Sequence, residues 1–158
     1  AYLINYFLEQ FRTTLYRQTM FAEFELWCSE QTRKGEALTA EALCAKYGEL
    51  NRQYYGEDIE PDPEIALEWA RIPHFYYNFY VYQYATGFAC AIALSQRILR
   101  EGKPAVDDYI RFLSGGCSSD PVSLLRGAGV DISTPAPVNE ALKLFDKLIG
   151  EMEELTAE

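Results

Sequence analysis

The sequence predicts an all-α protein, and three observations carry that prediction. Apolar residues recur at three- and four-residue steps along most of the chain, the period of an amphipathic helix. No segment sustains the alternation of a strand. Glycines and prolines fall between the periodic stretches and cut them into helix-length pieces. There is no internal repeat.

The first element covers residues 2–33, where Leu3, Phe7, Phe11, Leu15, Phe21 and Phe24 keep the helical step and nothing breaks it before Gly35. Arg12, Arg17 and Gln18 interrupt its apolar surface and read equally well as solvated or as partnered. Thr39 is a cap for a second helix over 40–54, with Leu43, Tyr47, Leu50 and Tyr54 on one face. Residues 56–63 form an acidic loop punctuated by Pro61 and Pro63, without the regular ligand spacing of a calcium site. A short helix over 64–70 follows, and Arg71-Ile72-Pro73 ends it, because a residue before proline avoids the helical region. Among Asp62, Glu64 and Glu68 a solvated acidic face is the default.

Residues 75–100 read as a helix, continuous from about Phe79. No charge appears between His74 and Arg97, but Asn78, Gln83, Thr86, Ser95 and Gln96 are scattered through the run, so a buried helix accounts for it better than a membrane span. Helices over 105–113, 121–127 and 137–155 complete the chain, the second of them capped by Asp120-Pro121. Gly115-Gly116-Cys117 is a loop that lacks the lysine and spacing of a phosphate loop.

The length of 158 residues predicts one domain with a core of its own. A formal charge of −10 disfavours nucleic acid and anionic membrane surfaces as partners. Cys28, Cys44, Cys90 and Cys117 match no zinc pair, and the first three sit among apolar neighbours, which predicts reduced thiols of a cytoplasmic protein. The start lacks the basic segment and cleavage site of a signal peptide, and Ala1 stands inside a helical pattern, as expected of a piece of something longer.

The densest chemistry lies in residues 74–87. The single histidine, His74, precedes Tyr76, Tyr77, Tyr80, Tyr82 and Tyr84. A buried tyrosine hydroxyl must find a partner, and five in eleven positions exceed what an ordinary core takes up. The residue types leave two readings open. His74 anchors the turn after Pro73 while the tyrosines pack, or imidazole and phenol donors serve a developing oxyanion. On a helix Tyr77, Tyr80 and Tyr84 would share a face, and Gly87 one turn on would admit close approach of a peptide backbone. A zinc site of the His-Glu-x-x-His kind needs a second histidine, and a nucleophilic triad would need His74 brought to a nucleophile such as Cys117.

Three segments carry a resemblance: residues 11–25 (FRTTLYRQTMFAEFE), 72–87 (IPHFYYNFYVYQYATG) and 112–121 (FLSGGCSSDP). Through them the whole chain resembles the C-terminal part of the oligoendopeptidase F family, among the thimet-oligopeptidase-like zinc metallopeptidases. The resemblance implies a single C-terminal helical subdomain, 1–158, of a mostly helical enzyme that hydrolyses short peptides in a deep channel. It implies zinc in the full-length enzyme, held upstream of Ala1, and no cofactor for this chain alone. His74 matches the family's substrate-binding histidine, and Tyr80 and Tyr84 match its oxyanion-stabilising tyrosines. Tyr77, Tyr82 and Gly87 join them as substrate-binding positions. The implied partners are short peptides and the missing N-terminal half, whose absent surface would let the isolated chain self-associate. The competing reading is a noncatalytic helical module that binds peptides or other proteins.

Overall fold

The computed structural model describes residues 1–60 and 62–157; the Pro61 part of the predicted acidic loop lies outside the described residues. Among them there is no strand, as the sequence predicts. The α-helices are α1 (Tyr2–Gln10), α2 (Arg17–Lys34), α3 (Ala40–Tyr55), α4 (Tyr82–Glu101), α5 (Lys103–Ser114), α6 (Pro121–Gly127) and α7 (Ala136–Thr156). A π-helical stretch, Phe11–Tyr16, joins α1 to α2, and two 3₁₀ stretches, Pro63–Arg71 and Pro73–Tyr76, lie between α3 and α4. The chain divides into two compact units, Arg12–Ala85 and Ala1–Phe11 with Thr86–Glu158.

In the Arg12–Ala85 unit, α2 ends where Gly35 turns left-handed at φ 81°. The Glu36 N–H then reaches back to the Gln31 carbonyl at 3.0 Å and satisfies one of the carbonyls the helix end leaves over. Thr39 caps α3 as its position predicts, its hydroxyl accepting from the Ala42 N–H at 3.2 Å. The apolar face of α3 closes on α2: Tyr47 and Leu50 are fully buried, and the Tyr47 ring stands edge-on to Phe24 at 5.2 Å. Met20, Phe21, Ile72 and Val81 complete this core. Each side chain of this size contributes roughly 1.5–3 kcal/mol by leaving water.

In the other unit, Cys90, Ala93 and Leu94 of α4 pack with Ala128 and Val130. Phe11 is fully buried and touches the rings of Phe88 and Phe145 at 5.0 and 5.2 Å. Arg97 ties α4 to Asp108 at 2.8 Å and to the Ala128 carbonyl at 2.6 Å. Gly129, at φ 79°, lies under that guanidinium, where any Cβ would come within 2.5 Å of it.

Three expectations are corrected. The first helix is not uniformly α: Phe11–Tyr16 winds wider. The segment expected as an α-helix over 64–70 is a 3₁₀ helix over Pro63–Arg71. The helix expected from about Phe79 begins at Tyr82, because Asn78 and Phe79 both adopt left-handed backbone, φ 53° and 58°, which no right-handed helix accepts.

Candidate functional site

His74 and the tyrosines do come together, by a different route from the shared helix face that the sequence predicts. The Pro73–Tyr76 turn presents His74, the left-handed pair reverses the chain, and Tyr80 arrives before α4 begins. The His74 ring stacks on Tyr80 with centroids 5.7 Å apart and planes 9° from parallel. Tyr77 and Tyr84 stand edge-on to His74 at 5.7 and 6.2 Å. The Tyr84 hydroxyl donates to that of Tyr80 at 3.1 Å, so one proton is shared between the two phenols and the pair keeps one for an outside acceptor. This bond, together with slight desolvation, raises the Tyr84 phenol above its ordinary pKa and keeps it a donor at neutral pH.

Tyr82 and Gly87 are carried by α4 itself. Tyr82 opens α4 exposed, and lies about 200° around the helix from Tyr84. Gly87 belongs to the α4 stretch of the other unit, and a Cβ built there would meet open space.

Beside His74 and Tyr84 is a cleft of about 310 Å³ that also receives Arg17, Gln18, Phe21 and Arg71. Two of its lining residues, Arg17 and Arg71, belong to an ion cluster. Glu68, 6% exposed, accepts from the buried Tyr47 hydroxyl at 2.7 Å, from Arg17 at 2.5 Å, and from Arg71. The 3₁₀ winding explains the last contact, since side chains three apart eclipse in that helix and Arg71 comes to lie over Glu68. Burial pushes the Glu68 carboxyl up, but the Tyr47 hydroxyl and the two guanidinium groups outweigh it and hold the pKa below the ordinary range. The same environment drives the Tyr47 phenol far up, mainly through burial. Glu68 is therefore not part of a solvated acidic face, and Arg17 is not a solvated interruption of its helix.

Residues 1–144 match the family model described as "Peptidase family M3". The chain belongs to peptidase family M3. Oligopeptidase PepF of Bacillus subtilis is 54% identical over 98% of the chain, which spans 23% of that protein. Chromosomal oligoendopeptidase F of Lactococcus lactis subsp. cremoris is 44% identical over 97% of the chain, which spans 25% of it. The crystal structure of oligoendopeptidase-F from Enterococcus faecium superposes with a TM-score of 0.94 at 46% identity, over 98% of this chain and 30% of that one. The chain thus spans about a quarter of the length of the curated relatives it matches.

Peptidases of family M3 are metallopeptidases, and the fit of a metal to this M3 chain can be tested on its donors. Among the described residues no three His, Cys, Asp or Glu side chains gather as a metal would require. His74, the one imidazole, is engaged with tyrosine rings. The residues present do not fit zinc. The thiols are placed as structural ones: Cys90 is buried, Cys28 and Cys44 are half-buried, and burial pushes the Cys28 thiol up to about 11. Cys117 is exposed in its glycine loop. No helix is long and apolar enough to cross a membrane among the described residues.

Sequence reasoning missed two glutamates that support this cluster and cleft. Glu68 looks like its acidic neighbours, and only its spacing to Arg71 hinted at a pair. Glu25 shares the apolar stripe of α2 with Phe21 and Phe24, four and one residues before it. A lone charge in such a stripe is the signal that could have found it.

Proposed function

We propose that this chain is the portion of an M3 oligoendopeptidase that meets a short peptide with hydrogen-bond donors at its scissile carbonyl. The observation that supports it best is the ring cluster. An imidazole and two phenols touch one another, and two of the three, His74 and Tyr84, line a cleft, with Tyr84 39% exposed and so available to a ligand. In this reading His74, Tyr80 and Tyr84 act on the oxyanion that forms as the carbonyl is attacked. Donors already oriented there strengthen as negative charge develops and need no reorganisation. Tyr77, Tyr82 and Gly87 belong to the same reading as contacts along the peptide.

In this reading zinc and its ligands lie upstream of this chain, in the longer enzyme. The donors of this chain bind and orient the carbonyl. The chain's other partner in this reading is the upstream portion, for which the exposed Tyr2, Leu3 and Tyr6 of α1 offer an apolar surface. Uncovered, the same surface favours self-association. A cytoplasmic setting goes with this reading, because four free thiols, Cys117 among them exposed, suit a reducing compartment.

The test is Tyr84→Phe in a protein of the relatives' full length, which deletes the hydroxyl and keeps the ring. The expected result is a loss of about 10²–10³ in kcat with KM near wild type and zinc content unchanged. A raised KM with kcat preserved would make Tyr84 a binding residue and overturn the oxyanion role.

A further inference from the structure

The turn that builds the ring cluster is an uncomfortable one. Asn78 and Phe79 are consecutive non-glycine residues in the left-handed region, where asparagine is tolerated and phenylalanine is a true outlier. Such a conformation persists only where its surroundings over-determine it. Tyr77 and Tyr80 flank this pair directly. Relaxing it would swing Tyr80 away from His74 and dissolve the stack.

Three contacts pin the segment. Phe75 packs on Phe21 and Phe24 of α2 at 5.5 and 5.3 Å. Val81, on the far side, is buried in the same core. Between them, Glu25 of α2 accepts the N–H of Phe79 at 2.6 Å, fifty-four positions away in sequence. That bond falls on the strained residue itself. Glu25 is 9% exposed, and its second oxygen is buried with no hydrogen-bond partner among the described residues. Among the described residues this carboxyl belongs to no metal-binding cluster, and its hydrogen bond is to the turn.

We propose that Glu25 is a positioning residue: through the Phe79 N–H it holds the left-handed turn and so sets the stack of His74 on Tyr80. It acts through backbone and touches no substrate. This rests on the ring cluster being the part of the chain that works on the peptide, but its structural half can be tested without that premise.

Because His74 is the only histidine, its imidazole gives a single set of NMR signals, and stacking on Tyr80 gives them a ring-current shift. Glu25→Gln keeps an oxygen at the same reach; Glu25→Asp withdraws it by one methylene. On the 158-residue chain, Gln is expected to retain the shifted His74 signals and a slowly exchanging Phe79 amide, and Asp to lose both while core methyl signals stay dispersed. Tyr54→Phe, a lost hydroxyl elsewhere in the unit, is expected to leave the His74 signals alone. Unshifted His74 signals in Gln, retained ones in Asp, or unfolding of both variants would overturn the proposal in favour of a plain packing role.

In the full-length protein, Asp is expected to lower kcat by about ten- to a hundredfold, as misplacement near 1 Å does, with KM little changed and Gln near wild type. If the signals respond as expected and kcat does not, the positioning role stands and the catalytic reading of the ring cluster falls.

Discussion

Two buried glutamates in the Arg12–Ala85 unit have opposite electrostatic fates. Glu68 and Glu25 are 6% and 9% exposed. Glu68 meets a phenol and two guanidinium groups. Glu25 meets one backbone N–H. Burial raises the Glu25 carboxyl, and the Phe79 amide lowers it only in part, so its pKa ends above the ordinary range while that of Glu68 ends below. Depth alone does not decide whether a carboxylate is held charged; the inventory of partners does. Glu68 is built as an anion that ties α2, α3 and the 3₁₀ stretch together. Glu25 is built as an acceptor for a single amide.

Removing the two carboxylates should separate them most. Glu68→Ala leaves the buried Tyr47 hydroxyl without its acceptor and the half-buried Arg17 without its carboxylate, and about 3–5 kcal/mol of stability is expected to go. Glu25→Gln keeps the acceptor and is expected to cost under about 1 kcal/mol. Urea unfolding of the two variants measures this, and equal losses would erase the distinction.

Acidity should sharpen the contrast. The folded pKa of Glu68 is depressed, so its stabilisation is present above the unfolded value near 4.5 and is lost as pH falls through the folded value. That of Glu25 is raised, so its contribution is whole below about 4.5 and is lost as pH rises through the folded value. The gap between wild type and Glu68→Gln should therefore close on acidification from pH 4.5. The balance between wild type and Glu25→Gln should shift toward Gln as pH climbs above 4.5. Each change is bounded by about 1.4 kcal/mol per pH unit. Unfolding midpoints at several pH values report it, and parallel curves would refute the opposite shifts.

A third carboxylate gives an intermediate case. Tyr54 donates to Glu23 at 2.9 Å, and burial with this bond pushes the phenol up to about 12. Tyr54→Phe is expected to cost about 1 kcal/mol, as one hydrogen bond does. Ultraviolet titration should find one phenol ionising near 12 that the variant lacks. The smallest effect is expected from zinc. Neither buried glutamate lies in a cluster of donors, so added zinc should leave the melting temperature of the 158-residue chain unchanged and elicit no peptide hydrolysis. A zinc-dependent rise would reveal a site that the donor geometry does not contain.

What was legible in the sequence follows the same division. Periodicity and caps gave the helices: α3 with its Thr39 cap, α6 from Asp120-Pro121, and the buried face of Tyr47 and Leu50. His74, Tyr77, Tyr80 and Tyr84 were legible as a group because hydroxyl-rich aromatics are unusual at that density. How they meet was not. A left-handed Asn78-Phe79 pair leaves no mark without glycine, and an uncharged run offers no visible stop before Tyr82. Glu25 and Glu68 stayed hidden because their partners lie 54, 21 and 51 positions away. Contacts at that range are set by packing rather than by local pattern.

The π-helical stretch Phe11–Tyr16 has a consequence for descent. A wide turn of this kind is what an inserted residue leaves inside an α-helix. Each residue turns the helix by about 100°, so the spare position shifts the phase of whatever follows it along the same chain segment. Deleting Thr14 would restore a regular helix and gain local regularity. The contact of Glu25 with the Phe79 amide lies wholly within the Arg12–Ala85 unit, so hydrogen exchange at that amide is expected to keep its protection. A lineage that trimmed this insertion would keep every residue of the His-Tyr cluster and the α2 contacts that hold its turn.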